Sequence, residues 1–144
     1  AFDIARTMAL GADWVNMARA FMFAVGCIQS QTCHTDRCPT GVATQDADRQ
    51  RALVVPDKAT RVAQFHEKTL MALAEVVGGA GLTHPSQLRR FHFQKRVSES
   101  VVKSFMDLYP PLGKGELLTG TDDPRYKEAW RRAQAASFAA AHTA

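Results

Sequence analysis

Three cysteines, Cys27, Cys33 and Cys38, fall within twelve residues of a 144-residue chain that has no others. An odd number of clustered cysteines does not suit a disulfide framework, which uses pairs spread along a secreted chain. The surrounding residues 26–46 show neither helical nor strand periodicity, so the sequence predicts a loop. A loop of this length is unusual in a compact domain unless it is functional or tied down. The chain must therefore fold around a long loop, and its cysteines indicate that metal or redox chemistry supplies the tie.

The cysteine spacing, C-x5-C-x4-C, is compatible with several kinds of site. Three soft thiolates on one loop can bind an iron–sulfur cluster, and the Cys38-Pro39 pair resembles the Cys-Pro that closes ferredoxin ligand runs. A zinc site would use Cys27, Cys33, His34 and Cys38, although adjacent Cys33 and His34 would have difficulty reaching one tetrahedral ion. Ordinary buried thiols, or one nucleophilic cysteine with His34 as its base, would leave the clustering unexplained. The spacing favours iron and sulfide, with zinc as the main alternative.

The residues before the loop alternate between helical and extended patterns. Ala1 to Leu10 has the spacing of a helix that Gly11 ends, Trp14 to Ala18 suits a short strand, and Phe21 to Gly26 opens a second helix. This order is typical of an α/β protein with a parallel sheet. Because the chain starts inside a helical pattern without an initiator methionine, we interpret it as the C-terminal piece of a longer protein.

Downstream of the loop the sequence predicts mostly helices. The longest begins at Pro56 and runs to about Val77, where two glycines end it. Three shorter elements follow: a helical turn from Thr83 to Leu88, a helix from Glu99 to Leu108, and a helix capped by Asp123 and Pro124 that places Tyr126, Trp130 and Ala133 on one face before an alanine-rich tail.

Composition narrows the class of protein. The chain has 18 Lys and Arg against 14 Asp and Glu, a net charge of +4, but its basic residues are interspersed and lack the aromatic pattern of a nucleic-acid interface. No stretch approaches eighteen unbroken apolar residues, and no secretory signal is visible. We therefore expect a cytoplasmic protein that binds neither nucleic acid nor membrane.

Residues 11–46, GADWVNMARAFMFAVGCIQSQTCHTDRCPTGVATQD, closely resemble the end of the FMN-binding domain of glutamate synthases and their FMN-binding relatives. In that family the C-x5-C-x4-C run binds a 3Fe–4S cluster, so the resemblance implies that Cys27, Cys33 and Cys38 each hold one iron. The continuation CPTGVATQD carries over without interruption as residues 38–46. A match of this length is far more specific than the cysteine spacing alone.

The same resemblance implies a fold. The family is built on a (β/α)8 barrel that holds FMN at the C-terminal mouth of its strands, so Trp14 to Ala18 would be the eighth strand and Ala1 to Leu10 the helix before it. Such barrels often bind a phosphate near the loops after strands seven and eight. Ala18, Arg19 and Ala20 form the turn at that place, which makes them the expected contacts to the FMN phosphate. Large multi-domain synthases carry a Gly-Thr-Gly-like turn there, so this chain is nearer to the FMN-binding relatives.

The fold class expected from the resemblance is therefore α/β: the C-terminal part of a (β/α)8 FMN-binding barrel, mostly helical within this chain. We divide it into the end of the barrel at 1–26, the cysteine loop at 27–46, a helical extension at 47–120 and a terminal helix and tail at 121–144. The resemblance weakens after about Leu88 and is absent beyond Gly120. His34 is interpreted as a neighbour of the cluster and not as a ligand.

The resemblance implies an iron–sulfur flavoprotein oxidoreductase. In glutamate synthases, electrons from an NAD(P)H-oxidising subunit or a ferredoxin pass through the 3Fe–4S cluster to FMN. Reduced FMN then converts 2-iminoglutarate, made from 2-oxoglutarate and ammonia, into glutamate. The ammonia comes from glutamine through an amidotransferase, while relatives without one would use free ammonia. The upstream remainder of the barrel would be a further partner, and no catalytic residue is assigned here because the chain is not expected to act alone. The rival interpretation is a zinc-stabilised binding module.

Overall fold

The computed structural model describes residues 1–136, and the predicted alanine-rich tail lies outside them beyond that point. The chain divides into two compact units, Ala1–Leu108 and Tyr109–Ala144. No helix among the described residues is long and apolar enough to cross a membrane.

The first unit is mostly helical and contains one small sheet. Its α-helices are α1 (Phe2–Ala9), α2 (Ala18–Val25), α3 (Ala47–Gln50), α4 (Val55–Gly79) and α5 (Phe105–Leu108). Short 3-10 turns cover Cys33–Thr35, Pro85–Gln87 and Arg90–His92, and strands β1 (Gln94–Arg96) and β2 (Val102–Ser104) pair antiparallel.

The core of this unit forms where α1 packs on the C-terminal half of α4. Ala5 and Ala9 lie four residues apart, so they share one face of α1, and their small side chains let the two helices approach closely. Leu73 and Val77 present the same four-residue spacing on α4 and are 7% and 3% exposed. Leu88, Phe93 and Phe105 complete the buried cluster. Together these side chains fix α4, the element against which the cysteine loop is placed.

A second contact fixes α2 on the N-terminal half of α4. The Phe21 ring meets the Phe65 ring edge to face, with 5.2 Å between the ring centroids. This geometry suits the positive edge and negative face of aromatic rings. Because α2 ends at Val25, the contact determines where the chain leaves the helix and enters the cysteine loop.

The segment after α4 is tied back to α1 and ends in the hairpin. The Arg90 side chain donates to the Leu10 carbonyl at 2.8 Å, which joins positions 80 residues apart. The Phe105 amide donates to the Phe93 carbonyl at 3.0 Å, so the start of α5 continues the pairing of β1 with β2. These bonds hold the apolar rings of Phe93 and Phe105 in the core.

The second unit contains two short helices, α6 (Glu116–Thr119) and α7 (Lys127–Arg132). The Glu116 carboxylate accepts hydrogen bonds from the Gly113 amide at 2.7 Å and from the Thr121 hydroxyl. The Arg125 guanidinium pairs with Asp123 and also donates to the Pro110 carbonyl at 2.9 Å. Local polar contacts therefore order this unit.

Several predicted elements are confirmed. The structure has helix Phe2–Ala9, the non-repetitive loop after Gly26 and the long helix, which runs from Val55 to Gly79. The mostly helical character is also confirmed, and with its small sheet the structure is compatible with part of an α/β fold. The barrel itself and the four functional segments stay predictions.

The predicted strand from Trp14 to Ala18 is wrong in the described residues. Residues 14–17 have no regular structure, and α2 begins at Ala18, three residues before the predicted start at Phe21. A strand is defined by hydrogen bonds to a neighbour, and none of the described residues provides one beside this segment. Trp14 is 74% exposed in consequence.

Two downstream predictions are also corrected. The helix expected from Glu99 to Leu108 is replaced by β2 and the short helix α5, because Val102 pairs with Arg96 across the hairpin. β-branched residues suit that pleated surface. The last helix begins at Lys127 and not next to Asp123, whose carbonyl instead accepts from the Tyr126 and Lys127 amides in a preceding turn.

Candidate metal centre

The cysteine loop begins directly at the C-terminus of α2. Gly26 caps this helix with φ +123°, a conformation that side chains rarely adopt. The Cys27 amide still donates to the Met22 carbonyl at 3.0 Å, so the first cysteine is anchored to the helix. The Gln29 amide approaches the Cys27 Sγ atom at 3.5 Å. The first cysteine is thus held both by its own amide and by a contact to its sulfur.

The middle of the loop is held in an uncommon backbone conformation. Gln29, Gln31 and Asp36 are the non-glycine residues with positive φ in the described chain, and all three flank Cys33. Such residues cost of order 1–3 kcal/mol each and persist only where the surroundings determine them. Cys33 lies between them in an exposed 3-10 turn, Cys33–Thr35. Strain of this kind is concentrated at the candidate site.

Asp36 fastens the second half of the loop. Its carboxylate accepts from the Thr44 hydroxyl at 3.0 Å and from the Gln45 amide at 2.5 Å, while its carbonyl accepts from the same hydroxyl at 2.7 Å. The hydrogen bonds from the Gln45 amide and the Thr44 hydroxyl lower the pKa of Asp36. The hydrogen bonds of the Asp36 carboxylate thus join the two ends of the ten-residue segment from Asp36 to Gln45, which includes Cys38.

Cys38 is the one buried cysteine of the loop, at 6% exposure. Its Sγ atom lies 3.5 Å from the Thr40 hydroxyl. Hydrogen bonding by that hydroxyl, followed by the Ala43, Thr40 and Val42 amides, lowers the pKa of Cys38 to about 7. Metals bind the thiolate form of cysteine, so this environment prepares Cys38 as a ligand.

The loop returns onto α3 at a very close approach. Gly41 has φ +76°, and a Cβ atom at this position would lie 2.5 Å from the Arg49 carbonyl oxygen. Asp46 then caps α3, because its carboxylate accepts from the Asp48 amide at 2.9 Å. Only glycine permits both the backbone angle and the contact at position 41.

Two cavities flank the first cysteine. Cys27 and Cys33 line one of about 350 Å³ together with Arg19. Cys27 also lines a second, of about 330 Å³, together with Thr40 and Lys58. The structure thus brings Cys27 and Cys33 to a common cavity, whereas Cys38 does not line either of these two.

The three cysteines do not form a preassembled single-ion site among the described residues. No three His, Cys, Asp or Glu side chains of residues 1–136 converge as ligands to a single ion. A zinc site needs four ligands around one ion, so the described geometry does not favour a site built from the three cysteines and His34. The described loop carries three free thiols, a donor set that would suit a cluster whose irons each take one thiolate.

The predicted phosphate contacts lie in a helix and not in a turn. Ala18, Arg19 and Ala20 form the first turn of α2, and the cap residue Met17 offers no side-chain hydrogen bond to it. The first amides of a helix have no partner within the helix and carry its positive dipole end. The Arg19 side chain forms no hydrogen bond or ion pair within residues 1–136, and it lines the cavity that Cys27 and Cys33 share. Of the three predicted contacts, Arg19 is therefore the one that lies beside the cysteine loop.

Sequence reasoning missed three residues that shape the loop. Thr40 lies in the CPTGVATQD motif, but its hydrogen bond to Cys38 was not predicted. Asp36 was missed altogether, because its partner Gln45 lies nine residues away. Lys58 reaches the loop from α4, and nothing in its local sequence indicates that contact.

Comparison with known proteins identifies the family. The family described as "Conserved region in glutamate synthase" matches residues 1–83, which include the cysteine loop and α4. The chain belongs to the glutamate synthase family. The resemblance seen in the sequence is thereby confirmed, and this glutamate synthase segment is part of an oxidoreductase family.

Individual relatives agree with the family assignment. The segment is 40% identical over 99 residues to the "Glutamate synthase large subunit-like protein YerD" of Bacillus subtilis, covering 69% of this chain and 19% of that protein. It is 34% identical over 87 residues to the "Archaeal-type glutamate synthase [NADPH]" of Thermotoga neapolitana, covering 60% of this chain and 17% of that protein. The "Archaeal glutamate synthase [NADPH]" of Methanocaldococcus jannaschii is also 34% identical over 87 residues, which cover 60% of this chain and 17% of that protein. The chain thus spans less than a fifth of the length of these relatives, and no solved structure matches it significantly.

Proposed function

We propose that this chain carries the iron–sulfur loop of a glutamate-synthase-type flavoprotein oxidoreductase. The whole protein would form glutamate reductively from 2-oxoglutarate and glutamine-derived ammonia. The observation that carries the proposal is the set of three free thiols on one strained, hydrogen-bonded loop inside the segment that matches the family. Buried or reactive thiols elsewhere in proteins do not require such a loop.

Cys27, Cys33 and Cys38 would hold a 3Fe–4S cluster, one thiolate to each iron. When bound, such a cluster supplies a one-electron relay between the electron donor and FMN. The chain's own residues prepare the thiolates. The Gln29 amide faces the sulfur of Cys27, and the Thr40 hydroxyl and nearby amides stabilise the thiolate of Cys38. The hydrogen bond from the Gln45 amide to the Asp36 carboxylate holds the part of the loop that contains Cys38.

The N-terminus of α2 would contribute to FMN binding. The amides of Ala18, Arg19 and Ala20 carry the positive end of the helix dipole, and Arg19 adds a side-chain charge without a partner in the described chain. A phosphate group is the part of FMN that such a position suits. Because α2 connects this position directly to Cys27, flavin and cluster would be bound at opposite ends of one eight-residue helix.

The partners proposed for the whole protein follow from the family. The relatives are far longer than this chain, so the strands of the barrel, the residues that bind 2-oxoglutarate and any amidotransferase would lie outside it. The electron donor would be an NAD(P)H-oxidising subunit or a ferredoxin.

Metal analysis tests the proposal and separates it from the zinc alternative. Iron, acid-labile sulfide and zinc are measured in the whole protein, purified without oxygen, beside Cys33→Ala and His34→Ala variants. We expect iron and sulfide in the wild type, their loss in Cys33→Ala and their retention in His34→Ala. Zinc without sulfide, lost equally in both variants, would instead establish a Cys3His structural site and end the electron-relay proposal.

A further inference from the structure

Lys58 places a positive charge beside the first cysteine of the loop. It lies in the first turn of α4 and reaches across to the end of α2. A Cβ atom built on Gly26 would lie 3.6 Å from its Nζ atom and 3.7 Å from its Cε atom. Since Gly26 has no side chain and directly precedes Cys27, the ammonium group approaches the backbone at the point where the cysteine begins.

The surroundings of Lys58 limit the screening of its charge. It lines the 330 Å³ cavity together with Cys27 and Thr40, and its side chain is only 21% exposed. The nearest carboxylate is that of Asp57, 3.4 Å from Nζ, whose side chain is 58% exposed. Water screens the more exposed Asp57 charge more strongly than the Lys58 charge, so a net positive field remains at the cavity wall.

Arg61 adds a second cation to the same cavity. It lies three residues after Lys58, on the same face of α4, and its side chain forms no hydrogen bond or ion pair within residues 1–136. Its side chain is exposed, so solvent screens it more than Lys58. The two residues make the α4 side of the loop basic, and Lys58 is the member that approaches Gly26, the residue before Cys27.

We infer that Lys58 is a positioning residue for electron transfer, which holds its positive charge against Cys27 and raises the reduction potential of the cluster. The inference rests on the proposed function. One-electron reduction adds one negative charge to the cluster and its thiolates, and a nearby cation stabilises that added charge. No bond to iron is required of the lysine, because its effect is electrostatic and acts through Cys27.

An EPR-monitored redox titration of the whole protein tests this assignment. Lys58→Met keeps the aliphatic stem but removes the charge, Lys58→Arg keeps the charge, and Lys68→Met removes a charge ten residues further along α4. We expect Lys58→Met to lower the equilibrium constant of cluster reduction about threefold, which is about 28 mV at 59 mV per tenfold change. Lys58→Arg should stay near the wild type. Lys68→Met should not differ from it, because ten helical residues span about 15 Å, beyond the ~8 Å screening length.

Asp57→Asn gives an independent test with the opposite sign. Removing the carboxylate that offsets the lysine should raise the equilibrium constant of reduction about twofold. This variant also decides the matter if Lys58→Met fails to retain its cluster. If iron and sulfide are present but the reduction potential of the cluster is unchanged in Lys58→Met and Asp57→Asn, the role of Lys58 is overturned while the proposed function stands. Absence of iron and sulfide from the wild type would overturn the proposed function and this inference with it.

Discussion

Asp36 and Thr44 are joined twice, because the Thr44 hydroxyl lies 2.7 Å from the Asp36 carbonyl oxygen and 3.0 Å from its carboxylate. With the Gln45 amide on the same carboxylate, this pair closes the half of the loop that contains Cys38. These hydrogen bonds to Asp36 help to set the distance between Cys38 and α3. Cluster binding should therefore depend on a residue that is not itself a ligand.

Replacing Asp36 tests this dependence. Asp36→Ala removes the carboxylate oxygen that accepts from both Thr44 and Gln45, and it should weaken retention of iron about 10- to 100-fold, as is usual when groups that orient metal ligands are removed. The measurement is the rate of iron loss to a chelator. Asp48→Ala serves as the matched control, because the Asp48 side chain forms only an exposed ion pair with Arg51 at 3.1 Å within the described residues. Equal rates in the two variants would show that Asp36 does not support the cluster.

Gly41 should tolerate no side chain. Gly41→Ala combines a left-handed backbone with a Cβ atom 2.5 Å from the Arg49 carbonyl, so we expect a loss of at least about 2 kcal/mol in stability. Gly78→Ala is the control, since nothing lies within 4 Å of its added Cβ atom and the substitution favours the helix by about 0.5–1 kcal/mol. Thermal unfolding of the whole protein measures both. A Gly41→Ala variant as stable as the wild type would contradict the described loop path.

The α1–α4 core provides a paired test of packing. Leu73→Ala should destabilise the protein by about 2–5 kcal/mol because a 7% exposed side chain leaves a cavity against Ala5 and Ala9. Leu70→Ala, three residues earlier and 50% exposed, should cost well under half of that amount. Denaturant unfolding distinguishes them. Equal losses would mean that α4 presents a different face to α1.

Parts of this architecture could be predicted from the sequence and parts could not. Local signals were sufficient for the long helix, because Pro56 opens it and Gly78 and Gly79 end it, and for the loop that carries the cysteines. The segment from Trp14 to Met17 has a strand-like pattern, but a strand also needs a neighbouring strand, which the local pattern cannot supply.

The polar framework of the site was beyond prediction for a different reason. Asp36 bonds to residues eight and nine positions away, and Lys58 on α4 approaches Gly26 at the end of α2. Neither relationship follows a periodicity or a motif, since both arise from tertiary packing. The cysteines themselves were found because their clustering is a local chemical signal.

The second unit should lose stability in mild acid. The Thr121 hydroxyl and then the Gly113 amide lower the pKa of Glu116 from 4.5, since both stabilise its charged form. A carboxyl whose folded-state pKa lies below the unfolded value stabilises the fold above about pH 4.5, and this contribution is lost as the pH falls through the lowered value. Thr121→Val should therefore raise the pKa of Glu116 toward 4.5, as measured by NMR titration. Thr119→Val is the control, because Thr119 donates to the Glu116 carbonyl at 3.2 Å and not to its carboxylate.

The presence of a three-iron cluster on Cys27, Cys33 and Cys38 is tested most directly by EPR and iron analysis of the whole protein, purified without oxygen, beside Cys33→Ala. We predict about three irons per chain, one for each thiolate, with an EPR signal in the oxidised protein that disappears on dithionite reduction and is missing from the variant. A protein that contains no iron and sulfide, or one whose cluster signal survives the loss of Cys33, would contradict the assignment.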